Sequence, residues 1–147
     1  MDTHKLAYLA GLIDGEGSIT ISATPRKREG EATPRYYSRI TLTICNCHPG
    51  IIDWLHKRFG GSAHWITRDP RYKPSGRVIW GNVDTAAILK MVLPYLIIKK
   101  HQALLAIKFH STMLRRNQFH HGCSENLLRQ RARIVSELRA LNKRGAI

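Results

Sequence analysis

Two carboxylates stand two positions apart near the start of the chain, Asp14 and Glu16, each followed by a glycine and preceded by an apolar run from Leu6 to Ile13. Hydrolysis of a phosphodiester needs a hard cation to activate water and to neutralise charge on the leaving oxygen. A carboxylate beside a backbone carbonyl is a donor set suited to Mg²⁺. Glu16 with the carbonyl of Gly15 fits that chemistry, whereas Asp14 suits capping or hydrogen bonding at an interface. The glycines around Glu16 predict that the helix breaks at Asp14 to Gly17, presenting the acid at a helix end. Cys45-Asn46-Cys47-His48 and His120-His121-Gly122-Cys123 hold softer, zinc-type donors, but no compact ligand spacing surrounds them and no zinc is expected. Three cysteines, an odd number without a disulfide framework, read as free thiols in a reducing compartment.

The elements that must position these groups follow from periodicity. Leu6, Leu9, Ala10 and Ile13 recur at helical spacing, and Ala7, Ala10 and Gly11 are too small to hold a second helix away. Ser18 to Thr24 alternates as a strand, with Ser18, Thr20 and Ser22 opposite Ile19 and Ile21. After a charged connection from Pro25 to Pro34, Arg35 to Ile44 alternates again. It sets Tyr37, Arg39, Thr41 and Thr43 against Tyr36, Ile40, Leu42 and Ile44. Pro49 to Phe59 is an amphipathic helix stopped by Gly60-Gly61. A second hairpin runs from Ser62 to Thr67 and from Arg77 to Gly81. Asn82 is expected to cap a helix from Val83 to Leu93, with Ala86, Ala87, Leu89 and Leu93 as its core face. His101 to Arg116, patterned by Ala103, Leu104, Ile107 and Leu114, and Glu125 to Asn142 are the last helices. This order makes an α+β domain, an antiparallel sheet with helices on one face.

Lys plus Arg number 24 and Asp plus Glu 10, a net charge of +14 that favours a polyanionic partner, nucleic acid above all. Arginines fall on the same strand face as the small hydroxyls. Ser18, Thr20, Ser22, Arg26, Arg39, Thr41, Arg68 and Arg77 are therefore the candidate base readers, while Lys27, Arg28, Arg71 and Lys73 sit on loop tips suited to phosphates. No run of eighteen apolar residues occurs, and the start of the chain does not lead into a signal-type segment. No membrane association is expected; the expected setting is intracellular, a prokaryotic cytoplasm or an organelle.

Leu9-Ala10-Gly11-Leu12-Ile13-Asp14-Gly15-Glu16-Gly17 is similar to the motif of the LAGLIDADG homing endonucleases, differing by Gly for Ala at the seventh place and Glu for Asp at the eighth. Asn46 to Leu55 matches more loosely. The resemblance implies an αββαββα core, about residues 5–115 of one domain spanning 1–147, with a helical extension beyond 116. Its saddle-shaped sheet would lie along the DNA major groove. It implies Glu16 as the metal ligand, Mg²⁺ as the ion with Mn²⁺ as a substitute, Lys99 as a basic residue at the cleavage site and His48 as a residue that positions water. With a single motif, it implies a homodimer whose seam is Leu6, Ala7, Leu9, Ala10, Gly11, Ile13 and Asp14. The function implied is intron-encoded, site-specific cleavage of double-stranded DNA at a near-palindromic target. The alternative is a non-cleaving module, either an RNA-binding maturase or a DNA-binding regulator.

Overall fold

The computed structural model describes residues 2–26, 29–30, 35–113 and 125–143. Helix α1 spans Thr3–Glu16 and starts at Asp2, whose carboxylate accepts the His4 N–H at 3.0 Å. The helix does not break at Asp14. Asp14, Gly15 and Glu16 are helical, and the chain turns only at Gly17, whose N–H reaches back to the Ile13 carbonyl. A Cβ at Gly17 would stand 2.6 Å from that oxygen, so only glycine lets strand β1 (Gly17–Arg26) leave the helix without a loop.

Strand β2 (Arg35–Asn46) pairs antiparallel with β1 and with β4 (Ser75–Gly81), and β4 pairs antiparallel with the edge strand β3 (Ser62–Ile66). The sheet order is β1-β2-β4-β3. Alternation then sorts the residues: Ile19, Ile21, Ile40, Leu42, Ile44, Val78 and Trp80 point beneath the sheet and are at most 6% exposed. Helices α1, α2 (Pro49–Phe59) and α3 (Asn82–Val92) cover one part of that face. Leu9, Ala10, Ile13, Ile52, Leu55, Leu89 and Val92 join the sheet in a single core there. Helices α4 (Lys100–Ser111) and α5 (Glu125–Leu141) close a second core with Ile21, Ile40, Leu105, Phe109, Ile134, Val135 and Leu138. The last helix is thus built into the domain.

Two helix ends depend on the sheet. The Trp80 indole donates to the Phe59 carbonyl at 2.8 Å. A Cβ on Gly61, whose φ is +84°, would fall 2.7 Å from that indole nitrogen. Asn82 is not the cap expected of it. Gly81 occupies that position, and the Asn82 amide oxygen instead accepts the Ile40 N–H at 3.1 Å. Buried Thr85 accepts the Leu42 N–H at 3.2 Å and donates to the Trp80 carbonyl at 2.8 Å. Strand β4 ends opposite Thr41, so these side chains satisfy β2 donors near and beyond that end. Ala87 and Leu104 are exposed, against expectation, and Ile88, Val92, Leu105 and Phe109 carry the buried faces of α3 and α4. Residues 114–116, expected to finish α4, lie outside the described residues. No described helix is long and apolar enough to cross a membrane.

Candidate catalytic end and nucleic-acid face

Glu16 is the last residue of α1 and is exposed, as is Gly15. The segment before α4 closes on this helix end. The Asp14 carboxylate accepts the backbone N–H groups of Ile97 at 2.9 Å, Ile98 at 3.2 Å and Lys99 at 2.9 Å. The Lys99 ammonium donates to the carbonyls of Ile13 at 2.9 Å and Asp14 at 2.6 Å. Burial holds the Lys99 pKa below the ordinary lysine value, against the pull of the Asp14 and Glu16 charges. Burial pushes the Asp14 carboxyl up, but the Ile97, Lys99 and Ile98 N–H groups outweigh it and the pKa ends below the usual range. Asp14, Gly15, Glu16 and Lys99 therefore form one neighbourhood, in which Asp14 serves as a cap.

His48 is exposed, and its bonds belong to the start of α2: Nδ1 accepts the Gly50 N–H at 3.1 Å, and the His48 backbone N–H donates to Asn46 Oδ1 at 2.8 Å. Among the described residues, no three His, Cys, Asp or Glu side chains gather around a common point. The donor set offered at the end of α1 is the Glu16 carboxylate and the Gly15 carbonyl. Cys45 and Cys47 are exposed free thiols; His120, His121 and Cys123 lie outside the described residues.

The outward side of α1 is narrower than the sequence suggests. Leu9, Ala10 and Ile13 are 0% exposed within the chain's own core, so these members of the expected seam cannot meet a second chain. Ala7, Gly11 and Gly15, spaced four apart, are exposed, and Leu6 and Asp14 flank them half-buried. A Cβ on Gly11 or Gly15 would meet nothing within 4 Å.

Above the core, the sheet presents an open polar face. The register sets Ser18 against Thr43, Thr20 against Thr41, Ser22 against Arg39, and Arg77 between Cys45 and His64. Ser18, Thr20, Ser22 and Arg39 are exposed, while Thr41 and Arg77 are half-buried. The Arg77 Nε is buried without a hydrogen-bond partner among the described residues. Arg68, Arg71 and Lys73 are exposed on the β3–β4 loop, and the Arg71 guanidinium pairs with Asp69 at 2.8 Å. Lys27 and Arg28, with the side chain of Arg26, lie outside the described residues. Thr43, Cys45 and His64 share this face and were not among the residues singled out as readers. Alternation from Thr41 could have found the first two, but His64 joins through cross-strand register.

Neither a family model nor a curated protein matches the sequence. Solved structures match in fold. The archaeal intron-encoded homing endonuclease I-Vdi141I, complexed with DNA, superposes with a TM-score of 0.75 at 18% identity over 99% of this chain and 88% of that one. I-CvuI, a homing endonuclease in complex with its target in the presence of Ca, gives 0.74 at 20% identity over 99% of this chain and 89% of that one. The LAGLIDADG homing endonuclease I-SmaMI, bound to cleaved DNA, gives 0.64 at 17% identity over 97% of this chain but 45% of that one. The chain has the fold of the LAGLIDADG homing endonucleases, and residues 9–17, which resemble their motif, form the end of α1 and its junction with β1.

Proposed function

We propose that this chain is one half of a homodimeric homing endonuclease, intron-encoded, that cuts both strands of DNA at a near-palindromic site with Mg²⁺, for which Mn²⁺ can substitute. The observation that carries the reading is the junction of α1 with the segment before α4, where the Lys99 ammonium is anchored on the Ile13 and Asp14 carbonyls, next in the chain to Gly15 and exposed Glu16. Hard oxygen donors of this kind suit Mg²⁺, which when bound supplies activation of water and neutralises charge on the leaving oxygen. Glu16 and the Gly15 carbonyl would hold the ion. Of the three N–H donors of the Lys99 ammonium, two are engaged by α1 carbonyls, and among the described residues the third remains to stabilise charge developing on the phosphate. His48, with Nε2 unused by its cap bond, is assigned to positioning water from the start of α2.

A single metal-binding carboxylate per chain serves one strand, so cleavage of both calls for two copies about a two-fold axis. Ala7, Gly11 and Gly15 leave the space for that approach, with Leu6 and Asp14 beside them. The fraction of I-SmaMI that the chain covers, 45%, is consistent with a fold that works in pairs. Arg39, Arg77, Arg26 and Arg68 are assigned to guanine edges, and Ser18, Thr20, Ser22 and Thr41 to permissive contacts. Lys27, Arg28, Arg71 and Lys73 are assigned to phosphates. The +14 charge supports the polyanionic partner.

Replacing Glu16 by Gln tests the core of this proposal, because it removes an anionic ligand and keeps the volume. On a duplex joining the sequences that flank the reading frame, cleavage in Mg²⁺ should fall steeply while gel-shift affinity stays within about tenfold, roughly 1.4 kcal/mol. Wild-type cleavage by the Gln variant excludes Glu16 from the reaction. Tight binding by the wild type without cleavage in any divalent ion makes the chain a binding module, a maturase or a regulator.

A further inference from the structure

We propose that Asp14 is a positioning residue for the cleavage reaction, forming with Lys99 a reciprocal clamp that sets the Lys99 ammonium and the Glu16 carboxylate relative to each other. The role rests on the endonuclease reading; the clamp itself rests on geometry. A helix leaves its last carbonyls and its first N–H groups without partners, and its dipole favours a cation at the first end and an anion at the second. Here the carbonyl end of α1 meets the segment that leads into α4, so the Lys99 ammonium lies at the negative end of one helix and the Asp14 carboxylate beside the entry to the other. Lys99, at the cap position of α4, makes no side-chain cap bond there. Its ammonium crosses instead to the Ile13 and Asp14 carbonyls. In return, Asp14 Oδ2 accepts the Ile97 and Ile98 N–H groups, and Oδ1 accepts that of Lys99.

Lys99 is thereby held at both ends, its backbone N–H on the Asp14 side chain and its ammonium on the α1 backbone. Packing fixes Leu96, which is 4% exposed, but not the side chains of Ile97 and Ile98, 87% and 69% exposed. Beyond Leu96, hydrogen bonds to Asp14 hold the backbone of residues 97–99. Both Asp14 oxygens are engaged in this way, so Asp14 acts through Lys99, whose ammonium it sets relative to Glu16.

The test combines backbone amide exchange, followed by NMR, with single-turnover cleavage of a duplex selected by the wild-type protein from a randomised library. Thermal unfolding reports the folded fraction of each variant. Asp14→Asn should speed exchange at Ile97, Ile98 and Lys99 by roughly tenfold to a hundredfold, as expected when bonds to a charged acceptor are lost. Its cleavage rate should drop about tenfold or more, while DNA affinity changes less than about threefold. In a Lys99→Met background the same substitution should alter cleavage by less than about twofold, because the group that Asp14 positions is gone. Unchanged exchange at residues 97–99 overturns the clamp whether or not the protein cuts DNA. Faster exchange with undiminished cleavage, or an equal cleavage penalty in both backgrounds, overturns the positioning role. A wild type that never cuts removes that role together with the endonuclease reading, and the exchange result still decides the clamp.

Discussion

Burial alone would push the Asp14 carboxyl up, yet the Ile97, Lys99 and Ile98 N–H groups bring it below its usual 3.8. A carboxylate with a depressed folded-state pKa contributes stability that is complete above the unfolded value, about 3.9, and is lost as pH falls through the folded one. Asp14→Asn should therefore lower the unfolding temperature at pH 7, and the gap to wild type should narrow below about pH 4. Thermal melts across pH 7 to 2 check this; a gap that is constant through the acid range contradicts it. In the proposed interface, Arg39 on the sheet and Lys73 on the β3–β4 loop would separate base reading from phosphate holding. Arg39→Ala should cost roughly 1 to 3 kcal/mol and relax preference at a few positions, while Lys73→Ala should weaken all sequences alike and reduce the salt slope by about one. Uniform losses for both variants on a randomised library refute the division.

Among the secondary elements, α1 has two faces with opposite demands. Its inner face is closed by Leu9, Ala10 and Ile13, and its end is drawn so tightly into β1 that a Cβ on Gly17 has no room. Its outer face has space at Gly11, where an added Cβ meets nothing within 4 Å. Leucine is also the better helix former, by somewhat under about 1 kcal/mol. Gly11→Leu should consequently fold at least as well as wild type and still separate or misalign the subunits of the proposed dimer. Sedimentation and plasmid cleavage measure this, and a variant that stays dimeric and cuts both strands would sink the α1 seam. Gly17→Ala should do the reverse and destabilise the monomer by roughly 1 to 3 kcal/mol, read from denaturant unfolding.

The molecule as a whole is stabilised by two adjoining cores under one sheet, and α5 is the element that closes the second. Arg131 of α5 is buried, donating from Nε to Thr112 Oγ1 at 3.0 Å and lying 5.6 Å from the centre of the Phe109 ring. Asn142, just beyond α5, donates to the Ile19 carbonyl at 2.8 Å. Leu138 is 2% exposed, and Leu138→Ala should cost about 2 to 5 kcal/mol in urea unfolding. Ending the chain before Glu125 should do more, since it bares the Ile21, Ile40, Leu105 and Phe109 side of the core. A truncated chain as stable as the full one would make α5 dispensable.

What the sequence by itself determined is whatever depends on neighbours along the chain. The alternation of Ser18 to Ser22 and of Arg39 to Ile44 assigned the strand faces because successive strand side chains point to opposite sides. The helix periods, the Pro49 start and the Gly60 stop are equally local. So is the stretch from Leu9 to Gly17, which pointed to the fold. Other features required elements distant in sequence to meet. That Ala10 faces inward while Gly11 faces outward follows from how α1 lies against the sheet; both are small residues and their types do not tell them apart. Asn82 left its expected capping role because β4 ends opposite Thr41 and a β2 donor needed an acceptor. His64 came beside Arg77 through strand register. The bonds between Asp14 and residues 97–99 join positions more than eighty apart, and only tertiary packing brings the end of α1 to the start of α4.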